Sequence, residues 1–264
     1  MNFIDAHCHL HDHRIDDRIP EMVSRARDAG VALMASCATM ENNFERTAQF
    51  CREYPDILPF FGIHPWFIDS GSSHWPDVLE KALTAVPSGI GETGLDFCDP
   101  AADRETQVAV FETHLDMARQ MGRPINIHIR KAWDTFIHIL KKTGRLAVPG
   151  MIHSYSGSAD MIPVFEKHNL FISFSGSVTN PGARKVVAAL KQVSADRFVL
   201  ETDTPDIYPY IPDPDPSRLN EPANLPAIAR IAAGRINVEE ILFCSRAYEN
   251  SRRLFEPILR KRTQ

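Results

Sequence analysis

Eight short apolar runs, each bounded by turn residues and each followed by a helical pattern, alternate along the 264 residues of this chain. No other feature narrows the fold as much, because a strand that is repeatedly followed by a helix must cross back over its own sheet, which makes the sheet parallel. The runs lie at 3–9, 31–38, 58–64, 89–93, 125–129, 150–153, 170–174 and 198–202. Between the fourth and fifth, Val108, Phe111, Leu115 and Ala118 recur at helical steps until Gly122 and Pro124 end the pattern. Pro20 suits the opening turn of the first helix and Gly30 its C-terminal cap, while Val186, Ala189, Leu190 and Val193 stripe the seventh. Eight such units without an internal linker predict a single-domain α/β chain over 1–264, folded as a (β/α)₈ TIM barrel. Two segments break the rhythm. Residues 205–222 carry six prolines and read as a substrate-binding wall after the eighth strand or as a tolerated insertion. Residues 238–255 form an extra amphipathic segment, expected to close the outer layer.

Composition excludes several classes. A chain with 44% hydrophobic and 24% charged residues has ample material for a core and none of the bias of a disordered protein. No apolar run approaches the ~20 residues a bilayer needs, and the first residues lack a basic and apolar leader pattern, so the expectation is a cytoplasmic protein without membrane contact. Five scattered cysteines, never spaced as CxxC, argue against a disulfide framework and a thiolate zinc site. With a net charge of −5, no global positive field draws nucleic acid, so a phosphate-bearing substrate must be captured locally.

The candidate ligands follow from where polar residues fall on the strands. His7 and His9 are two apart in the first run and share a face of the pleat. Glu92 ends the fourth strand, His128 lies in the fifth, His153 ends the sixth, and Asp203 follows the eighth. All six are nitrogen or oxygen donors at the strand ends where barrels keep their chemistry. Four imidazoles and two carboxylates exceed what one tetrahedral ion uses, so two divalent ions bridged by Glu92 are expected. The histidine-rich set suits zinc, manganese or a similar ion in the tighter position, because magnesium keeps its waters and avoids histidine cages. His64 ends the third strand at the same rim, where it would touch the substrate or a ligand, or cap a turn. Arg130 follows His128 by two and would face a substrate anion or form a rim ion pair with Glu201 or Asp134. His11 and His13 read as loop or solvent residues, His74 as part of a polar loop, and His114, His138 and His168 as surface or helix-end residues.

The segments DAHCHL (5–10), GIHP (62–65), GETGLD (91–96), IHIR (127–130), IHSYSGS (152–158), ETDTP (201–205) and NEPANL (220–225) occur in this order across nearly the whole chain. Together they resemble the TatD-like metal-dependent hydrolases of the amidohydrolase superfamily. That resemblance implies a (β/α)₈ barrel with two divalent metals on the same six residues, and a magnesium- or other divalent-metal-dependent deoxyribonuclease acting on DNA ends. It also implies that Asn220 and Glu221 lie near the substrate. Two positions depart from the family pattern: Lys131 stands where an acidic residue is common, and Asp206 where an aromatic is.

The resulting expectation is a phosphodiester hydrolase with DNA as substrate, monomeric, in which two ions activate a water and Asp203 orients that water and takes its proton. Glu92 is the second catalytic carboxylate. A small-molecule ester, lactone or amide hydrolase, or a deacylase of charged RNA, could use the same site, and the acidic net charge favours it. A non-enzymatic metal-binding protein fits six converging ligands with an open rim less well.

Overall fold

The computed structural model describes residues 1–212 and 219–262. Eight parallel strands follow chain order around one sheet. They are β1 (Phe3–Cys8), β2 (Val31–Cys37), β3 (Ile57–Phe61), β4 (Gly89–Asp96), β5 (Ile125–Arg130), β6 (Gly150–Ile152), β7 (Leu170–Phe174) and β8 (Phe198–Leu200). All eight expected runs are strands, with ends displaced by up to three residues. The helices are α1 (Ile19–Asp28), α2 (Phe44–Glu53), α3 (Trp75–Ala85), α4 (Arg104–Met121), α5 (Trp133–Thr143), α6 (Ile162–Lys167), α7 (Arg184–Gln192), α8 (Leu225–Arg235) and α9 (Glu240–Arg262). In α4 the predicted stripe is the buried face, Asp103 caps the start by accepting from Thr106 N, and Gly122 ends it in the left-handed conformation.

The seam between β8 and β1 closes by other means than a regular ladder. His9 N donates to Thr204 O, Asp203 N donates to His7 O, and the buried Asp5 carboxylate accepts from Thr202 N and Thr202 Oγ1. The barrel is a (β/α)₈ TIM barrel.

Ile4, Ala6, Ala35, Leu58, Phe60, Met151, Phe171 and Val199 come from six strands yet form one apolar cluster, which only the interior of a barrel allows. Leu254, Phe255 and Ile258 of α9 belong to that cluster. The second half of the C-terminal helix therefore plugs the mouth at the strand beginnings, while Phe243, Cys244 and Ala247 of its first half pack in the outer layer. Asn250 Nδ2 donates to Ala195 O and Phe198 O, and Arg262 donates to Ile57 O, at the starts of β8 and β3. Burying each of Leu254, Phe255 and Ile258 contributes about 1.5–3 kcal/mol. With this end sealed, the opposite rim is free for chemistry.

The proline-rich loop is anchored on both sides of its undescribed part. Asn220 N donates to Pro205 O, and Tyr210 N donates to Thr179 Oγ1. Pro214 and Pro216 lie outside the described residues. Among the described residues, no helix is long and apolar enough to cross a membrane.

Candidate metal centre

Two irregularities in the sheet aim the central side chains. Between Asp5 and Cys8 β1 takes three steps while β2 takes two, from Met34 to Ser36. Between Ile90 and Thr93 β4 takes three steps while β5 takes two, from Ile125 to Ile127. An extra residue switches the face a strand presents. The switch carries β1 from Ile4 and Ala6 inside the apolar cluster to His7, stacked on His153 with ring centroids 4.1 Å apart. In β4 it sits at Gly91 and Glu92. Gly91 has φ 137°, and a Cβ there would lie 2.6 Å from Asn126 O, so the close approach of β4 to β5 requires glycine. Asp203 lies just past β8 with φ 58°, a conformation aspartate tolerates better than most residues.

These turns bring the six predicted ligands together around one carboxylate. Glu92 Oε2 lies 3.6 Å from His7 Nε2 and 3.3 Å from His9 Nε2. Asp203 Oδ1 is 3.4 and 3.5 Å from the same nitrogens, which are 3.0 Å apart. Four donors placed at ~2.0–2.1 Å from a tetrahedral ion stand about 3.3–3.4 Å from one another, so every pair here that includes an imidazole is close to the spacing of a coordination shell. On the other side Glu92 Oε1 lies 2.9 Å from His128 Nδ1 and 2.8 Å from His153 Nε2, themselves 2.9 Å apart.

The outer nitrogens show that the inner ones are lone-pair donors. His7 Nδ1 faces Asn126 Oδ1 at 3.1 Å, His9 Nδ1 faces Cys37 O at 2.9 Å, and His128 Nε2 faces Asp96 Oδ2 at 3.1 Å. Among the described residues His153 Nδ1 makes no hydrogen bond, and the Glu201 carboxylate stands 3.5 Å behind it. Each hydrogen-bonded oxygen demands a proton on the nitrogen it meets, and the imidazole, when neutral, then keeps its lone pair on the nitrogen that points inward. His64 is wired in reverse. Its Nδ1 accepts from Trp66 N at 3.1 Å, which leaves the proton on Nε2, 3.4 Å from Glu92 Oε1. His64 is close enough to join the cluster, yet it is built to donate a hydrogen bond there.

A model of the TatD related DNases matches residues 4–256. The chain belongs to the TatD family. Among TatD relatives, it is 31% identical over 254 residues to the uncharacterized metal-dependent hydrolase YabD of Bacillus subtilis, covering 95% of this chain and 98% of that one. It is 31% identical over 238 residues to a protein named 3'-5' ssDNA/RNA exonuclease TatD from Edwardsiella piscicida, covering 87% and 90%. The crystal structure of the TatD homologue YjjV from Escherichia coli superposes with a TM-score of 0.90 at 25% identity, over 96% of this chain and 98% of that one.

In this TatD chain the electrostatics follow from packing charges where water cannot reach. Burial alone would raise the Glu92 carboxyl, but His64, His153 and His7 around it hold it well below the usual carboxylate range. Asp203 is likewise pushed up by burial and driven well below that range by the His7 and His9 hydrogen bonds. His9 shows the reciprocal effect: burial depresses it, and the Asp203 hydrogen bond and the Glu92 charge overcome that to bring it to about 9, so at neutral pH its inward nitrogen carries a proton that a bound ion would displace. His64 lacks such compensation, and burial outweighs Glu92 to bring it to about 4, so it stays neutral. Such a set of ionised carboxylates and inward lone pairs suits divalent ions. The Oε2 side carries two carboxylates and the Oε1 side one, each with two imidazoles.

The remaining predicted residues divide. Arg130 is at the cluster's edge with Nη1 3.6 Å from Asp96 Oδ2, and its neighbour is therefore Asp96, not Glu201 or Asp134. Asn220 is fully buried. It donates to Thr202 O and Ile207 O and accepts from Glu221 N and Asn224 Nδ2, which uses every site on its amide and leaves none for a substrate. Glu221 is paired at 2.6 Å with Arg25 of α1. These two hold the loop; they do not face the cluster. Asp206 is paired with Arg14, which also grips Asp12, so this departure from the TatD pattern clamps the eighth loop to the first. Lys131 is exposed with φ 51°. His114 is fully buried, where the surface had been expected: its Nε2 accepts from Ile63 N and its ring stacks on Trp75. His11 is also buried, with Nε2 3.4 Å from Thr39 Oγ1.

Sequence reasoning missed Asn126, Asp96 and Glu201. Asn126 was accessible to it, being two residues before His128 in an otherwise apolar strand and hence on the same face. Asp96 and Glu201 sit inside the GETGLD and ETDTP motifs, but nothing in a linear pattern tells which histidine each carboxylate will back.

Proposed function

We propose that this protein is a divalent-metal-dependent phosphodiesterase that cleaves single-stranded nucleic acid, DNA foremost, from an end. One observation carries the reading: four imidazoles converge on the two oxygens of a single buried carboxylate, three with the outer nitrogen hydrogen-bonded to an oxygen acceptor and the fourth with the Glu201 carboxylate behind it, and Asp203 completes one side. The relatives named as 3'-5' ssDNA/RNA exonucleases support the substrate class. His7, His9, Asp203 and one oxygen of Glu92 would hold one ion, and His128, His153 and the other oxygen a second. Zinc, manganese and magnesium are the candidates. When bound, such ions polarise phosphoryl oxygens and make a water acidic enough to react at neutral pH.

The chain's own groups supply the rest. Asp203, ionised at the rim, orients the attacking water and accepts its proton as the water oxygen bonds to phosphorus. The bond to the leaving sugar oxygen then breaks, and that oxygen takes up a proton. His64 donates from Nε2 toward the shared carboxylate or a phosphoryl oxygen, and Arg130 offers a charge-assisted contact to the phosphate next along the strand. The second reading, hydrolysis of a small ester or lactone, is favoured by the carboxylates near the rim, which repel an extended polyanion. Chelator-treated protein reloaded with Mn²⁺, Zn²⁺ or Mg²⁺ and offered labelled single-stranded DNA beside lactones and aryl esters decides between them. Ion-dependent release of nucleotides is the expected result; turnover confined to the carbonyl substrates would overturn it.

A further inference from the structure

A cavity of about 570 Å³ opens beside the metal centre, of the size that small-molecule sites occupy. Trp66 forms one wall, Arg130 another, and Asp69, Asp96, Asp99 and Asp103 contribute carboxylates. Trp66 is 61% exposed, an unusual situation for so large an aromatic surface. It is nevertheless held in place. Its Nε1 donates to Asp96 Oδ2 at 2.8 Å, its ring meets His64 edge-on at 4.9 Å, and its centroid is 6.1 Å from that of His128. A fixed indole face turned to open space, one ring away from a ligand histidine, is a stacking platform waiting for a flat partner.

The charges say what kind of partner. Asp69 and Asp99 are exposed, and a phosphate deep in the cavity would meet them. Arg130 is the cation among the lining residues, half-exposed, and its 3.6 Å approach to Asp96 is too long for a hydrogen bond, so its donors are free for a phosphate at the cavity's edge. A neutral ring with N–H groups on its edge fits the interior, and its phosphate fits the metal side. We propose that the cavity is the subsite for the base of the nucleotide whose phosphate is cut, stacked on Trp66 with Arg130 on the adjoining phosphate. The proposal rests on the nuclease reading and specifies its substrate: a strand end whose terminal bases are unpaired and can be splayed into the cavity.

Trp66→Ala and Trp66→Phe both lose the indole donor to Asp96, but only the phenylalanine keeps a ring, so the difference between them isolates stacking. Each is assayed, with ion content measured, on a single-stranded oligonucleotide and on copies with one abasic residue at each of the last three positions. Trp66→Ala should raise KM by about 5- to 150-fold relative to wild type, with Trp66→Phe in between. At one abasic position the wild type should show the same penalty, and Trp66→Ala should add nothing to it. Equal KM for the alanine and phenylalanine variants, or a Trp66→Ala penalty that persists undiminished on every abasic substrate, overturns the subsite. A separate binding arm keeps the subsite apart from the nuclease reading. Cytidine 5'-monophosphate should quench the indole fluorescence of wild type but not of Trp66→Phe, and ribose 5-phosphate should quench neither. If the wild type cuts no oligonucleotide while this quenching pattern holds, the nuclease reading fails and the base subsite stands; if the two ligands quench alike, the subsite fails whatever is cut.

Discussion

The two sides of the Glu92 carboxylate balance charge by different routes. On the Oε2 side a second carboxylate, Asp203, stands directly against His7 and His9, and the outer nitrogens of those rings rest on neutral acceptors, Asn126 Oδ1 and Cys37 O. On the Oε1 side Asp203 comes only within 4.8 Å of His153, and carboxylates stand behind the two rings instead, Asp96 behind His128 and Glu201 behind His153. One side takes its negative charge at the donor shell and the other receives it through an imidazole. A charge placed directly against an ion attracts it more strongly, whereas a charge relayed through imidazole raises the basicity of the ring and leaves that side more open to a substrate oxygen. The difference teaches that equal residue types at equal strand ends need not make equal sites.

The largest effect is expected where the two sides meet. Glu92→Gln removes the charge both share, so kcat/KM should fall by the ~10⁴-fold upper range for a catalytic carboxylate and bound metal should drop on both sides. Loss of ion from one side alone, by elemental analysis, would break the idea that the carboxylate is shared. Asp203→Asn comes next: it keeps shape and one oxygen but loses the proton acceptor, with turnover at saturating Mn²⁺ down ~10²–10⁴-fold. A variant that melts early yet turns over at the wild-type rate would remove Asp203 from the reaction.

The charge behind His128 and His153 is tested by Asp96→Asn and Glu201→Gln, each expected to cost ~10–100-fold in metal affinity or activity. Asn126→Ala, which removes a neutral acceptor from His7, should cost less. Equal losses would erase the contrast between the sides. Smaller still is His64→Gln, for which turnover should fall by about tenfold while ion content stays near wild type, whereas His128→Ala should lose ion. If His64→Gln is as metal-poor as His128→Ala, the reversed wiring of its nitrogens has been misread.

The smallest effect on activity concerns a histidine without carboxylates. His114 is fully buried and His9 partly so, but with nothing acidic beside it burial brings His114 down to about 4, where His9 rises to about 9. Between pH 6.5 and 4 the unfolded chain binds a proton at His114 that the folded one refuses, so stability is fully present above pH 6.5 and lost as pH falls. The loss amounts to about 3 kcal/mol. His114→Gln should flatten the pH dependence of the melting temperature in that window and leave turnover intact; an unchanged slope would show that His114 is not the group responsible.

Much of this was legible along the chain. The barrel follows from the alternation, since a βα period repeated eight times leaves few other ways to bury both faces of a parallel sheet. His7, His9, Glu92, His128, His153 and Asp203 followed from their places at strand ends, and the structure gathers them, with His64, in three overlapping groups of possible ligands. Asn220 and Glu221 were misplaced because a motif records which residues recur and not which way they face. Asn220 is spent on backbone atoms of its own loop, and Glu221 points to α1. The outer-layer role expected of α9 holds for its first half, and the plugging by its second half was missed for a similar reason: an amphipathic stripe shows that a face is buried and not against what.

The sequence by itself determined the period of the elements and the donors available at each strand end, because periodicity and side-chain chemistry are local properties. The tertiary structure alone decided how those donors are aimed. The extra residues in β1 before Cys8 and in β4 before Thr93 exist only relative to the strands beside them, and a bulge has no meaning in an isolated strand. The proton on each imidazole was decided the same way: His7 meets Asn126 across 119 residues and His128 meets Asp96 across 32, while the otherwise similar His64 meets a backbone N–H two residues on. Which nitrogen of a histidine carries its lone pair depends on the atom that faces the other nitrogen, and for most of these rings only the closed barrel supplies that atom.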